Sequence, residues 1–83
     1  MATISDNLQQ VHARMARACA QAGRDVASVR LLAVSKTWGA DAVRAAHAAG
    51  QRAFGENYVQ EGVDKVRQLR DEGVTDIEWH CIG

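Results

Sequence analysis

The sequence predicts an α/β fold with a parallel sheet. Apolar runs typical of strands begin near Val29, Ala53 and Ile77, about 24 residues apart, and helical patterns lie between them. An amphipathic helix precedes the first strand, so the predicted order is helix, then strand-helix-strand-helix-strand. This alternation requires right-handed crossovers and a parallel sheet covered by helices. The sequence has no proline and no low-complexity segment, so residues 1–83 are predicted to form one domain without an internal boundary.

Composition narrows the possible functions. Ten basic and ten acidic side chains give a formal net charge of zero, which argues against a general binder of nucleic acid or anionic membrane. Cys19 and Cys81 lie far apart, in neither a redox pair nor a metal-ligand cluster. With neither a basic leader nor a long apolar run, two such cysteines are expected to be reduced thiols of a cytoplasmic protein. We expect neither a nucleic acid nor a membrane as partner.

The first helix is predicted from apolar residues spaced by three and four. Thr3 or Ser5 can cap its start, and Gly23 can end it in the left-handed conformation. The residues of the predicted apolar stripe are Ile4, Leu8, Val11, Met15, Ala18 and Ala22.

The remaining elements follow from periodicity and from glycine stops. Gly50 and Gly73 are expected to end the second and third helices. In the third helix, Glu61 and Lys65 have the order that favours a surface ion pair. The predicted ranges are a strand over about 29–36, a helix over 40–49, a strand over 53–55, a helix over about 58–70 and a strand over 77–82.

Lys36 is the first candidate site residue. Four apolar residues, Leu31 to Val34, precede Ser35 and Lys36, which predicts a strand covered on both faces with an amine at its carboxyl end. Ligands of parallel α/β sheets bind at that end of the strands. Burial there would favour the neutral amine, the form that attacks an aldehyde. The alternative is a lysine that extends from a strand end to water.

Three polar residues lie near the ends of the next two strands. Asn57 can hydrogen-bond a ligand or orient the amine of Lys36, or it can cap the third helix. Glu56 can act as a general base or as the ion-pair partner of a lysine. His80 can face a ligand or lie hydrogen-bonded in the core, and nothing in its spacing indicates a metal site. Trp79, with the opposite parity, is expected to pack under a helix.

Three segments resemble a known family. They are Leu31-Leu32-Ala33-Val34-Ser35-Lys36-Thr37, then Ala53-Phe54-Gly55-Glu56-Asn57-Tyr58-Val59-Gln60-Glu61, and Glu78-Trp79-His80-Cys81-Ile82-Gly83. In register, they look like the amino-terminal third of the pyridoxal phosphate homeostasis proteins. The resemblance implies the start of a (β/α)8 TIM-type barrel, similar to the amino-terminal domain of alanine racemase. Trp38 and Gly39 depart from the family pattern, which has a smaller or charged residue, often followed by proline.

The resemblance also implies a cofactor and a role. Pyridoxal 5′-phosphate (PLP), a form of vitamin B6, would be held as a Schiff base on Lys36, with Asn57 as a further cofactor-binding residue. The protein would buffer or deliver PLP without catalytic turnover. PLP-dependent apo-enzymes would be candidate partners, and the intact protein would be a monomer.

Two other functions stay open at this point. One is a racemase-like PLP enzyme, which needs a second acid/base group; Tyr58 is a poor candidate for that role. The other is a fragment that self-associates through its unpaired sheet edges. The phosphate-binding loops of such barrels follow late strands. We therefore expect that a polypeptide of these 83 residues alone retains PLP weakly or not at all, with Lys36 in water.

Overall fold

A computed structural model describes residues 3–57 and 59–82 of the chain. Tyr58, where the third helix is predicted to begin, and Gly83 lie outside the described residues. The chain divides into two compact units, Met1–Leu31 and Leu32–Gly83. The elements are helix α1 (Ile4–Ala22), a 3-10 helix (Val26–Ser28), strand β1 (Ala33–Val34), helix α2 (Ala40–Ala48), strand β2 (Ala53–Glu56), helix α3 (Gln60–Asp71) and strand β3 (Glu78–Cys81).

The first unit consists of α1 and the 3-10 helix. The side chain of Thr3 accepts a hydrogen bond from the backbone of Asp6, whose carboxylate accepts one from the backbone of Thr3, so a capping box begins the helix. Gly23 ends it with φ of 69°, as predicted. The predicted apolar stripe is only partly correct: Leu8 is buried, but Val11 is 37% exposed, and Cys19 is the other buried residue.

The second unit contains a parallel sheet in the order β1-β2-β3. The predicted α/β class and the predicted order of elements are confirmed. Register defines two rows of residues across the sheet, one on each face. Ala33, Phe54 and Trp79 form one row, and Val34, Gly55 and His80 form the other.

The core lies between one face of the sheet and helices α2 and α3. Phe54 of β2, Val43 of α2 and Leu69 of α3 are fully buried. Trp79 is half-buried on the same face as Phe54, with the ring centroids 5.8 Å apart. None of the described helices is long and apolar enough to cross a membrane.

Strand β1 is shorter and more open than the sequence predicts. It pairs with β2 only through Ala33 and Val34, and one further hydrogen bond joins Ser35 N–H to the carbonyl of Gly55. Ala33 is buried, whereas Leu32 is 37% and Val34 47% exposed. The expectation of a strand covered on both faces was therefore wrong, because only the face that carries Ala33 packs against the helices of this unit.

Candidate functional site at the carboxyl edge of the sheet

Lys36 lies in a tight turn directly after β1. The backbone N–H of Trp38 donates to the carbonyl of Ser35 at 2.9 Å, which closes the turn around Lys36. The side chain of Lys36 is exposed, as expected for these 83 residues taken alone. The amine is accessible at the carboxyl edge of the sheet, where ligands of parallel α/β folds bind.

Asn57 follows β2 at the same edge and is half-buried. Helix α3 has Val59 at its N-cap and no side-chain capping bond, so of the two alternatives for Asn57 the capping one does not hold. Its side-chain oxygen Oδ1 is buried and has no hydrogen-bond partner among the described residues. A buried acceptor without a partner lowers the stability of the fold. This oxygen is therefore a candidate to accept a hydrogen bond from a ligand.

A buried polar cluster lies under this edge, on the face of the sheet that α3 covers. Its members are Ser35, Glu56 and Lys65, which are all buried. The Lys65 ammonium donates to Glu56 Oε2 at 2.9 Å and to the backbone carbonyl of Ser35 at 2.7 Å. The hydroxyl of Ser35 donates to the same Glu56 oxygen at 2.6 Å. The cluster therefore ties the carboxyl ends of β1 and β2 to α3.

A glycine in α3 allows this close packing. A Cβ built on Gly62 would lie 2.8 Å from the carbonyl oxygen of Asn57 and 2.8 Å from Glu56 Oε1, which is closer than carbon and oxygen pack. The helix can therefore approach the end of β2, and position 65 comes to lie over the two strand ends. For this reason the predicted Glu61–Lys65 surface pair was wrong: Lys65 is buried and pairs with Glu56.

The structure also decides between the alternatives for Glu56 and His80. Glu56 is an ion-pair partner, and its partner is Lys65. Of the two alternatives for His80, the core position was wrong: its side chain is 42% exposed, and Nε2 lies 3.6 Å from a carboxylate oxygen of Glu78. Among residues 3–57 and 59–82, no group of three or more His, Cys, Asp or Glu side chains could hold a metal ion.

A groove of about 340 Å³ opens between α3 and β3. Its lining includes Asn57 and His80 together with apolar and basic side chains of α3, but Lys36 does not line it. Lys36 and Asn57 thus follow adjacent strands at the same edge of the sheet, but only Asn57 lines the groove.

Charged side chains away from this edge connect α2 to the segments that follow α3. Hydrogen bonds between Arg44 and Glu72 hold the pKa of that carboxyl below its usual value and raise the pKa of the guanidinium. A hydrogen bond with His47 likewise lowers the pKa of Asp76, at an Nε2–Oδ1 distance of 2.6 Å. Asp76 precedes β3, so this contact lies toward the amino-terminal end of the strands and stabilises the unit away from the candidate site.

Comparison with known proteins shows which family the chain resembles. The chain is 53% identical over all its 83 residues to the pyridoxal phosphate homeostasis protein of Escherichia coli K12. It is 54% identical, again over its full length, to that of Pseudomonas aeruginosa PAO1. The chain is homologous to a part of the pyridoxal phosphate homeostasis proteins. It spans about a third of their length, 36% and 35% respectively. No family model matches the chain.

Solved structures agree with this homology. PipY of Synechococcus elongatus, determined with PLP bound, matches 83% of this chain and 32% of its own at a TM-score of 0.63, with 45% sequence identity. The same protein without PLP matches with the same score. The family resemblance and the fold class predicted from the sequence, the amino-terminal part of a (β/α)8 TIM-type barrel, are thereby confirmed.

The burial of Lys65 and its pairing with Glu56 were not predicted from the sequence. Its spacing from Glu61 indicated a surface pair, and its burial depends on how α3 packs on the sheet. The one local signal was Gly62, a glycine inside a helical pattern, which is typical of a close approach between elements.

Proposed function

We propose that this chain binds PLP through a Schiff base on Lys36, with Asn57 as a second cofactor-binding residue, and that it takes part in PLP homeostasis. The observation that carries the proposal is the difference in burial between the two lysines. The sequence contains two, Lys36 and Lys65. The amine of Lys65 is buried between Glu56 and the Ser35 carbonyl, whereas Lys36 is exposed at the ligand-binding edge of the sheet.

The residues present fit the reactive end of the cofactor. PLP supplies an aldehyde, and an accessible primary amine is the group that forms an imine with it. The buried Oδ1 of Asn57, which has no partner among residues 3–57 and 59–82, offers a hydrogen-bond acceptor at the same edge of the sheet. Support also comes from the relatives, which are named for PLP homeostasis, and from PipY, which was determined with PLP bound.

The proposal includes the absence of catalytic turnover, because the relatives are named for homeostasis of the cofactor rather than for a reaction. It also includes a single barrel domain to which these residues contribute, and a cytoplasmic location. The latter is supported by the free thiols of Cys19 and Cys81. Delivery to PLP-dependent apo-enzymes is the corresponding proposal for partners.

The test uses the complete polypeptide that the native gene encodes. The protein is incubated with PLP and reduced with borohydride, and the adduct is mapped by peptide mass spectrometry. We expect one adduct, at Lys36, and its loss in Lys36→Ala. An adduct at Lys65 or at the amino terminus, with Lys36 unmodified, would refute the assignment. Racemisation of an amino acid by the wild type and not by Lys36→Ala would refute the absence of turnover.

A further inference from the structure

The backbone carbonyl of Ser35 is held from two sides. It accepts from the N–H of Trp38 at 2.9 Å and from the ammonium of Lys65 at 2.7 Å. This carbonyl belongs to the peptide bond that joins Ser35 to Lys36. The Lys65 side chain therefore contacts the peptide group from which the Lys36 side chain starts.

The Lys65 ammonium, one of the two donors to this carbonyl, is itself held in place. The side chain of Lys65 is 4% exposed, that of Glu56 is 7% exposed, and Glu56 Oε2 accepts from both Lys65 and the Ser35 hydroxyl. The backbone N–H of Ser35 donates to the carbonyl of Gly55 at 2.9 Å. Ser35 is thus bound through its N–H, its hydroxyl and its carbonyl, so the peptide plane before Lys36 has little freedom to rotate.

We propose that Lys65 is a positioning residue for Lys36: through the Ser35 carbonyl, with Glu56 holding its ammonium, it sets the orientation of the turn from which the reactive amine extends. This role rests on the proposed Schiff base at Lys36. Lys65 is placed to act through the Ser35 carbonyl and not directly on a cofactor, because its side chain is buried on the helix-covered face whereas Lys36 is exposed.

The same cluster relates the two candidate site residues to each other. Ser35 directly precedes Lys36, and Glu56 directly precedes Asn57, so the hydrogen bond between Ser35 and Glu56 joins the residues immediately before the site. Small displacements of a reacting group have large effects on rate, and a shift of 1 Å can cost roughly 100-fold. Loss of the Lys65 contact should therefore slow imine formation at Lys36 by an amount that lower stability of the fold does not by itself explain.

The experiment compares folded variants of the complete polypeptide. Lys65→Met/Glu56→Leu replaces the ion pair with apolar groups of similar size, a change that buried pairs often tolerate. If it does not fold, Lys65→Met/Glu56→Gln keeps an acceptor for the Ser35 hydroxyl and serves instead. Leu69→Val, which loosens the core at the far end of α3, is the control for a purely structural effect. The rate of imine formation with PLP is measured by absorbance across a pH series, and thermal unfolding is measured in parallel.

We expect the double variant to form the imine at Lys36 roughly 10-fold or more slowly than the wild type at every pH, while Leu69→Val forms it at the wild-type rate despite a lower melting temperature. A double variant with the wild-type rate would refute the positioning role and leave the proposed function standing. Equal slowing in the double variant and in Leu69→Val would also refute it, since the effect would then follow stability alone. Failure of the wild type to form an adduct at Lys36 would instead refute the proposed function.

Discussion

Gly62→Ala tests whether α3 packs as closely on the end of β2 as the structure shows. On an open helix surface this change stabilises, because alanine has a helix propensity about 1 kcal/mol better than glycine. At position 62, however, the new methyl group would lie 2.8 Å from both the Asn57 carbonyl oxygen and Glu56 Oε1. The first of these is a backbone atom, so relief requires that the helix or the strand end moves.

The magnitude follows from two opposing effects. Overpacking in a well-packed interior costs about 1–3 kcal/mol, and the upper part of that range applies where backbone blocks the new group. Subtracting about 1 kcal/mol of helix propensity leaves a net loss of about 1–2 kcal/mol in the free energy of unfolding. Because the displaced atoms belong to Glu56 and Asn57, the variant should also bind PLP more weakly.

Urea unfolding followed by circular dichroism measures the first effect, and equilibrium PLP binding measures the second. Arg67→Ala, an exposed position in the same helix, is the matched control and should change the free energy of unfolding by less than about 0.5 kcal/mol. A Gly62→Ala variant as stable as the wild type, or more stable, would show that helix propensity dominates and that the close approach of α3 is not present.

Three further changes test other contacts. Lys65→Met alone should cost about 3–5 kcal/mol in urea unfolding, because it leaves the Glu56 carboxylate buried without its partner. Thr3→Ala should cost about 1 kcal/mol by removing the capping box of α1. The hydrogen bond from His47 lowers the pKa of Asp76 in the folded state. The stabilisation that this contact gives is therefore present above the ordinary aspartate pKa of about 4, and it disappears as the pH falls through the lower pKa of the folded state. Thermal unfolding of wild type and Asp76→Asn should therefore converge in acid.

Each of these three predictions has an outcome that would contradict it. A Lys65→Met variant within about 1 kcal/mol of the wild type would mean that Glu56 is solvated, not buried. Ser5→Ala, the other cap that the sequence allowed, should have less effect than Thr3→Ala; the reverse order would reassign the helix start. A constant difference in melting temperature between wild type and Asp76→Asn down to strongly acidic pH would exclude the contact as a source of stability.

The elements that were predicted well are those with local determinants. Gly23, Gly50 and Gly73 all have positive φ, and each lies just after a helix that ends within one or two residues of its predicted end. A glycine stop requires no knowledge of the rest of the fold, because the left-handed conformation is open to glycine at little cost. The order of strands and helices, and with it the α/β class, follows from these stops and from the apolar runs between them.

The failures have a common origin in packing between elements. The apolar run from Leu31 to Val34 is too short to show which face is covered, and β1 has one pairing partner in this unit and one covered face. Lys65 was misplaced because an exposed ion pair and a buried lysine have the same spacing in the helix. Which of the two occurs depends on the distance between α3 and the sheet, and Gly62 permits the short distance because it carries no Cβ.

The arrangement of the site itself follows from strand alternation. Successive side chains of a strand point to opposite faces of the sheet. When a reactive side chain lies on the open face, the residue before it therefore lies on the covered face, where it can hydrogen-bond to the helices. Ser35 and Glu56 are buried polar residues at strand ends, each followed by a candidate site residue. A small or acidic polar residue placed between a buried strand and a reactive side chain is therefore a signal that sequence reading can use. The third member, Lys65, comes from another element, and its partners can be assigned only when the register of β1 and β2 and the depth of α3 are known.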